Sequence, residues 1–131
     1  MGNIHEEMAR RSAQPVQQPL DPEAQTKRIA ELNDLARKGI GVHGRWVWTP
    51  GIRALSDVDK ADIQRKIETF TAFTEGNDPY GERDFGSFDQ SGQTINWKID
   101  YYDKSLEYGS EDPSDPGQTT RVLTICLAEE Y

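Results

Sequence analysis

The chain has 131 residues, 34% of them hydrophobic, with 23 acids against 15 bases, a net charge of -8 and a pI near 4.7. That is enough for one domain and too little for two. It excludes several classes. There is no apolar run of the roughly 18 residues that span a membrane, no basic excess for ordinary phosphate-backbone binding, and only one cysteine, so neither an intrachain disulfide framework nor a CxxC zinc site.

The N-terminus, MGNIHEEMARRSAQP, has no apolar h-region, and Glu6 stands where myristoylation needs Ser or Thr. A cytoplasmic location is expected. Residues 1–20 are rich in Gln, Glu and Arg, with Pro15 and Pro19 and few large apolar side chains. Burial cannot offset the ordering entropy of such a segment, so a flexible tail is expected, followed by one domain over residues 21–131.

A helix should start at Asp21, a suitable N-cap, with Pro22 in its first position. Ile29, Leu32 and Ala36 recur at helical spacing, Arg37 and Lys38 suit the negative end of the dipole, and Gly39 suits a left-handed cap. GIGVHG, residues 39–44, matches G-x-G-x-x-G letter for letter. A dinucleotide site needs a strand before that motif and a helix after it. Here the order is reversed, which reads as a helix stop and a loop.

RWVWT, residues 45–49, reads as a short strand that puts Trp46 and Trp48 on one face, in the core or as interface anchors. Ser56, with Asp59 three residues on, starts a second helix. Ile63, Ile67 and Phe70 form its apolar stripe, and its end is expected near Phe73. A strand over Phe85–Phe88 and a turn around Gly92 follow. From Thr94 to Tyr102 the chain alternates cleanly, with Ile95, Trp97, Ile99 and Tyr101 on one face and Asn96, Lys98, Asp100 and Tyr102 on the other. The last strand, Thr120–Ala128, is apolar on both faces, as a central strand would be. The order is α-β-α-β-β-β, an α+β fold with two helices packed on a small, mainly antiparallel sheet.

Charge is divided unevenly. Residues 1–74 hold 10 acids and 11 bases, and residues 75–131 hold 13 acids and 4 bases. The acids gather as Asp78, Glu82, Asp84 and Asp89, then Glu107, Glu111, Asp112 and Asp115. They could form a solubilising surface or a hard-cation site, although the EF-hand pattern is absent. They could also form a face that docks on a basic partner, as a protein covering a nucleic-acid-binding groove would.

The segments NDPYGERDFGSF, WKIDYYD and TTRVLTICLAEEY carry a resemblance. Over roughly residues 26–131 the chain is similar to a domain-of-unknown-function family of small bacterial proteins, often found on plasmids and other mobile elements. Members tend to carry histidine where Arg83 stands here, which counts against chemistry needing an imidazole at that point. The family brings no activity to transfer. It implies a context: small proteins of mobile elements are often inhibitors of host defence, including anti-restriction and anti-CRISPR proteins.

Turn chemistry accounts for Asn77, Asp78, Pro79 and Gly81 but not for Tyr80, Glu82 and Asp84. Pairing through the Gly92 turn would bring Asp84 near Asp100 and Tyr102. Glu82, Asp84, Asp100, Tyr102 and Asp103 could then converge, with Arg121 as their counter-ion. The candidate surface is Asp78, Tyr80, Glu82, Asp84, Asp100, Tyr102, Asp103, Glu111 and Asp112. Paired carboxylates also serve acid/base chemistry. His5 falls in the expected tail, His43 in a glycine loop and Cys126 in an expected core strand, and no G-x-S-x-G elbow occurs. The expected function is therefore a small acidic interaction protein, an inhibitor of a partner with a basic surface. It needs no cofactor, nucleic acid or membrane. The alternative is a small enzyme or metal-binding protein built on the carboxylates.

Overall fold

The computed structural model describes residues 20–39 and 44–131. The expected tail up to residue 19, and residues 40–43 of the glycine loop, lie outside them. Helix α1 (Pro22–Lys38) starts where its capping residues place it. The Asp21 carboxylate accepts the Ala24 N–H, Pro22 fills the first turn, and Gly39 closes the helix at φ 71. Its buried stripe is Ile29, Ala30, Leu32 and Ala36, and it also includes Asn33 and Arg37.

Strand β1 (Gly44–Trp48) leads into a short helix, α2 (Pro50–Arg53). No periodicity announces α2. It is held from the other end of the chain by Glu130, whose carboxylate accepts the Thr49 hydroxyl at 2.7 Å and the Gly51 N–H at 3.0 Å. Helix α3 (Asp57–Glu68) begins as expected, with Ser56 Oγ accepting the Asp59 N–H. It ends at Glu68, short of the expected Phe73. Arg37 Nη1 takes the carbonyls of Ile67 and Phe70, satisfying end-of-helix acceptors that no following helical N–H meets. Phe70 and Phe73 instead turn edge-on to Trp97, at centroid distances of 5.6 and 6.2 Å.

The sheet order is β1-β4-β3-β2. β2 (Phe85–Gln90) and β3 (Gln93–Tyr102) form a hairpin through Ser91 and Gly92, both left-handed at φ 50 and 79, the conformation a two-residue hairpin turn demands. β3 continues antiparallel into β4 (Thr120–Leu127), and β1 joins the far side of β4 in parallel. β4 is thus central, as its two apolar faces predict. The fold is α+β, with a mostly antiparallel sheet and one parallel pair.

One face of the sheet carries the core. Ile95, Trp97, Ile99, Leu123, Ile125 and Leu127 pack against Ala36, Ile52, Ile63 and Ile67. Trp46 and Trp48 lie half-buried against this cluster, 5.9 Å apart. Gly86 faces Trp97 across the hairpin, and a Cβ there would run into the indole, so this strand position admits no side chain.

Candidate functional site

The register puts Arg121 beside Tyr101 on the core side of β4, beneath α1. Arg121 is 1% exposed. Its Nε donates to Asn33 Oδ1 at 2.7 Å and its Nη2 to the Pro113 carbonyl at 2.6 Å, and the guanidinium lies 5.2 Å over the Tyr101 ring. Asn33 Nδ2 donates to the Tyr101 hydroxyl and to the Glu82 carbonyl, and the Tyr101 hydroxyl donates to the Glu82 carboxylate at 2.8 Å. The expected role of Arg121 as counter-ion to a carboxylate is therefore corrected. Its partners are neutral oxygens, and Glu82 is linked to it only through Asn33 and Tyr101. Neutral dipoles satisfy the fork without the desolvation cost of burying a second charge. Burial lowers the Arg121 pKa to about 10, which leaves it protonated at neutral pH, and burial raises that of Tyr101.

A second arginine organises the other end of α1. Arg37, 3% exposed, binds the carbonyls of Ile67 and Phe70 and the Asp34 carboxylate, and stacks on Phe73 and Trp97. The second Asp34 oxygen takes the Arg83 guanidinium. A cleft of about 500 Å³ opens here, lined by Asp34, Arg37, Lys38, Glu68 and Arg83 among others. Its three cations face two carboxylates and the C-terminal carbonyls of α1 and α3, so it holds no excess of positive charge. Asn33 and Arg37 escaped sequence reasoning as site residues. Their one signal was a polar side chain on the apolar stripe of α1.

The candidate acids separate into two kinds. Some hold loops. Asp78 Oδ1 accepts the Arg83 N–H, Asp103 Oδ1 accepts Ser105 Oγ and the Glu107 N–H, and Asp112 accepts Gln25 Nε2 and the Ser114 N–H. Asp103 is thus turned into its own loop and does not join the expected group. Others present charge. Glu111 is exposed, and Asp100 is paired only with Lys98, at 3.2 Å on the surface. Tyr80 is 81% exposed, and Tyr102 is half-buried on the sheet face away from the helices. Asp84 lies opposite Ile99, whose N–H donates to its carbonyl at 2.8 Å, which sets it next to Asp100 in register. Ile99 faces the core, however, while Asp100 and Tyr102 alternate to the other face. The expected convergence of Glu82, Asp84, Asp100, Tyr102 and Asp103 therefore does not form.

Burial, then the carboxylates of Glu82, Asp78 and Asp100, raises the Asp84 pKa above 3.8. The fold therefore disfavours the ionised form. The penalty is absent below pH 3.8, where the group is protonated folded or unfolded, and grows as pH rises through the folded value. Asp84→Asn is expected to stabilise the protein at pH 7 by a few tenths of a kcal/mol, up to about 1 after solvent screening. That gain should vanish in acid. Denaturant unfolding at pH 7 and pH 3 checks this, and a variant less stable than wild type at pH 7 contradicts it.

Among the described residues no group of three or more His, Cys, Asp or Glu is arranged to hold a metal ion. Both histidines lie outside those residues. Cys126 is buried, and burial first, then Glu130, pushes its thiol pKa up. A family model described as "Protein of unknown function (DUF3768)" matches residues 48–130, from the end of β1 through the C-terminal turn. The chain belongs to this family. No curated protein and no solved structure matches it. The DUF3768 span contains every candidate acid, Tyr80, Tyr102 and Arg121, but not α1, which supplies Asn33, Asp34 and Arg37.

Proposed function

We propose that this DUF3768 protein is a small acidic interaction protein that inhibits a partner protein by covering a basic surface on it. Uncompensated charge carries the reading. Residues 75–131 hold 13 acids and 4 bases. Among the described residues the one ion pair these acids make is Lys98–Asp100. Such a field steers a basic partner into contact and repels nucleic acid. Among the described residues no helix is long and apolar enough to cross a membrane. The mobile-element setting of the family resemblance makes counter-defence, anti-restriction or anti-CRISPR, the activity to assay first, in the cytoplasm of the host.

Asp78, Glu82 and Asp112 hold loops, so the test neutralises acids that do not. The variant Asp84→Asn, Asp100→Asn, Glu107→Gln and Glu111→Gln is compared with wild type on a partner isolated from host lysate. Its association rate is expected to fall by about tenfold or more, the scale of electrostatic steering. The wild-type rate should fall as added salt shortens the Debye length below about 10 Å. Its melting temperature should not drop. A rate indifferent both to salt and to these four residues leaves the acids a solubilising role and defeats the proposal.

A further inference from the structure

The segment between α3 and β2 is braced far beyond what a connection requires. Asn77 Oδ1 accepts the Thr74 N–H at 2.7 Å, and Asn77 Nδ2 donates to the Ala72 carbonyl at 2.9 Å. The Asp78 N–H donates to the Thr74 carbonyl at 2.8 Å, and the Gly81 N–H to the Asp78 carbonyl at 3.1 Å, closing a turn over Asp78–Gly81. Asp78 Oδ1 then accepts the Arg83 N–H at 3.0 Å. Gly81 and Arg83 are both left-handed, at φ 72 and 56. Arg83 is not glycine, so its left-handed backbone is strained. The strain is held from two sides. The Arg83 guanidinium is tied to Asp34 on α1, and the Glu82 carbonyl and carboxylate are tied to Asn33 and Tyr101.

All this fixes a turn whose tip is Pro79 and Tyr80. Tyr80 is 81% exposed, the highest among the exposed large apolar side chains, and none of the described hydrogen bonds uses its hydroxyl. A projecting aromatic normally loses little by being mobile. Fixing its base in advance removes ordering cost from a later binding step, and tyrosine is enriched where binding energy concentrates. Around the tip lie Asp78, Glu82 and Asp84, while Arg83, the cation among them, is turned away to Asp34.

Resting on the function proposed above, we infer that the Asp78–Gly81 turn is a pre-organised anchor that inserts Tyr80 into a pocket of the partner whose rim carries lysine or arginine. The phenol ring fills the pocket, and the carboxylates behind it meet the rim.

The experiment places the photo-crosslinking amino acid benzoylphenylalanine, one position at a time, at Tyr80, Tyr108, Val58 and Glu111 of the full chain in host cells. The expected result is an adduct with a basic protein from position 80 and none from Val58. Excess wild-type chain should compete it away, and Tyr80→Ala should need at least about 30-fold more, the scale of a hot-spot residue. Asn77→Ala keeps Tyr80 but releases the brace, and is expected to compete at least tenfold less well, with faster amide exchange at Gly81 and Arg83. Adducts from Tyr108 or Glu111 without one from position 80 overturn this inference and leave the acidic-docking reading standing. Equal competition by Tyr80→Ala also overturns it, and equal competition by Asn77→Ala overturns the pre-organisation. No adduct from any position overturns both readings.

Discussion

A chain cut to the family span, residues 48–130, is expected to lose the cooperative thermal transition of the full protein. The cut removes α1 and almost all of β1. With α1 go Ile29 and Leu32, at 6% and 2% exposure. Burying each such side chain is worth about 1.5–3 kcal/mol. With it go also the guanidinium that holds the end of α3 and the amide that satisfies Arg121 Nε. Removal of α1 also uncovers Arg121, so its packing beneath the helix is lost along with the Asn33 bond. Against a total stability of about 5–15 kcal/mol for a domain of this kind, these losses leave no margin. Far-UV circular dichroism and proton NMR on the cut chain check this. A cooperative melt within about 10 °C of the full chain would show that α1 is an accessory rather than a part of the domain.

What the sequence made legible follows the range of the interactions. Asp21, Pro22, Gly39 and Ser56 act on backbone groups within four residues, and each capped its helix as expected. Alternation along β3 and the Gly92 turn likewise depend on neighbours, and together they fixed the hairpin register that sets Asp84 next to Asp100. The misreadings have distant causes. α2 depends on Glu130, 81 residues from Thr49. The acceptors at the end of α3 are met by Arg37, 30 residues before Ile67. The partner of Arg121 is Asn33, 88 residues away, reached only because β4 is central and α1 crosses above it. Counting charges found the acidic half of the chain, but not which carboxylates already hold loops. Asp103 shows the difference: its position in WKIDYYD put it with Asp100, whereas its side chain folds back onto Ser105 and Glu107.

Replacing Arg121 by alanine is expected to destabilise the fold by about 2–4 kcal/mol. The change strands Asn33 Oδ1 and the Pro113 carbonyl inside the protein. An unsatisfied buried polar group costs about 1–3 kcal/mol. The guanidinium that stacked on Tyr101 also leaves a void, and the void adds to the loss. The partners of Arg121 set a further contrast. If its worth lay in a carboxylate, Glu82→Gln would cost as much as Arg121→Ala. In this structure the Glu82 side chain meets the network only as an acceptor for the Tyr101 hydroxyl, which a glutamine carbonyl oxygen can replace, and the backbone carbonyl that accepts Asn33 is untouched by the substitution. Glu82→Gln is therefore expected to stay within about 1 kcal/mol of wild type, the net worth of one hydrogen bond. Asn33→Leu, which removes the amide and leaves Arg121 Nε buried without a partner while Nη2 keeps the Pro113 carbonyl, should cost about 1–3 kcal/mol. Urea unfolding of the three variants, with unchanged m-values, reads these differences directly. An Arg121→Ala midpoint equal to that of wild type would mean that the arginine is solvated, and the network would have no part in stability. A Glu82→Gln loss as large as that of Arg121→Ala would restore the ion pair that the geometry replaces with Asn33 and Tyr101.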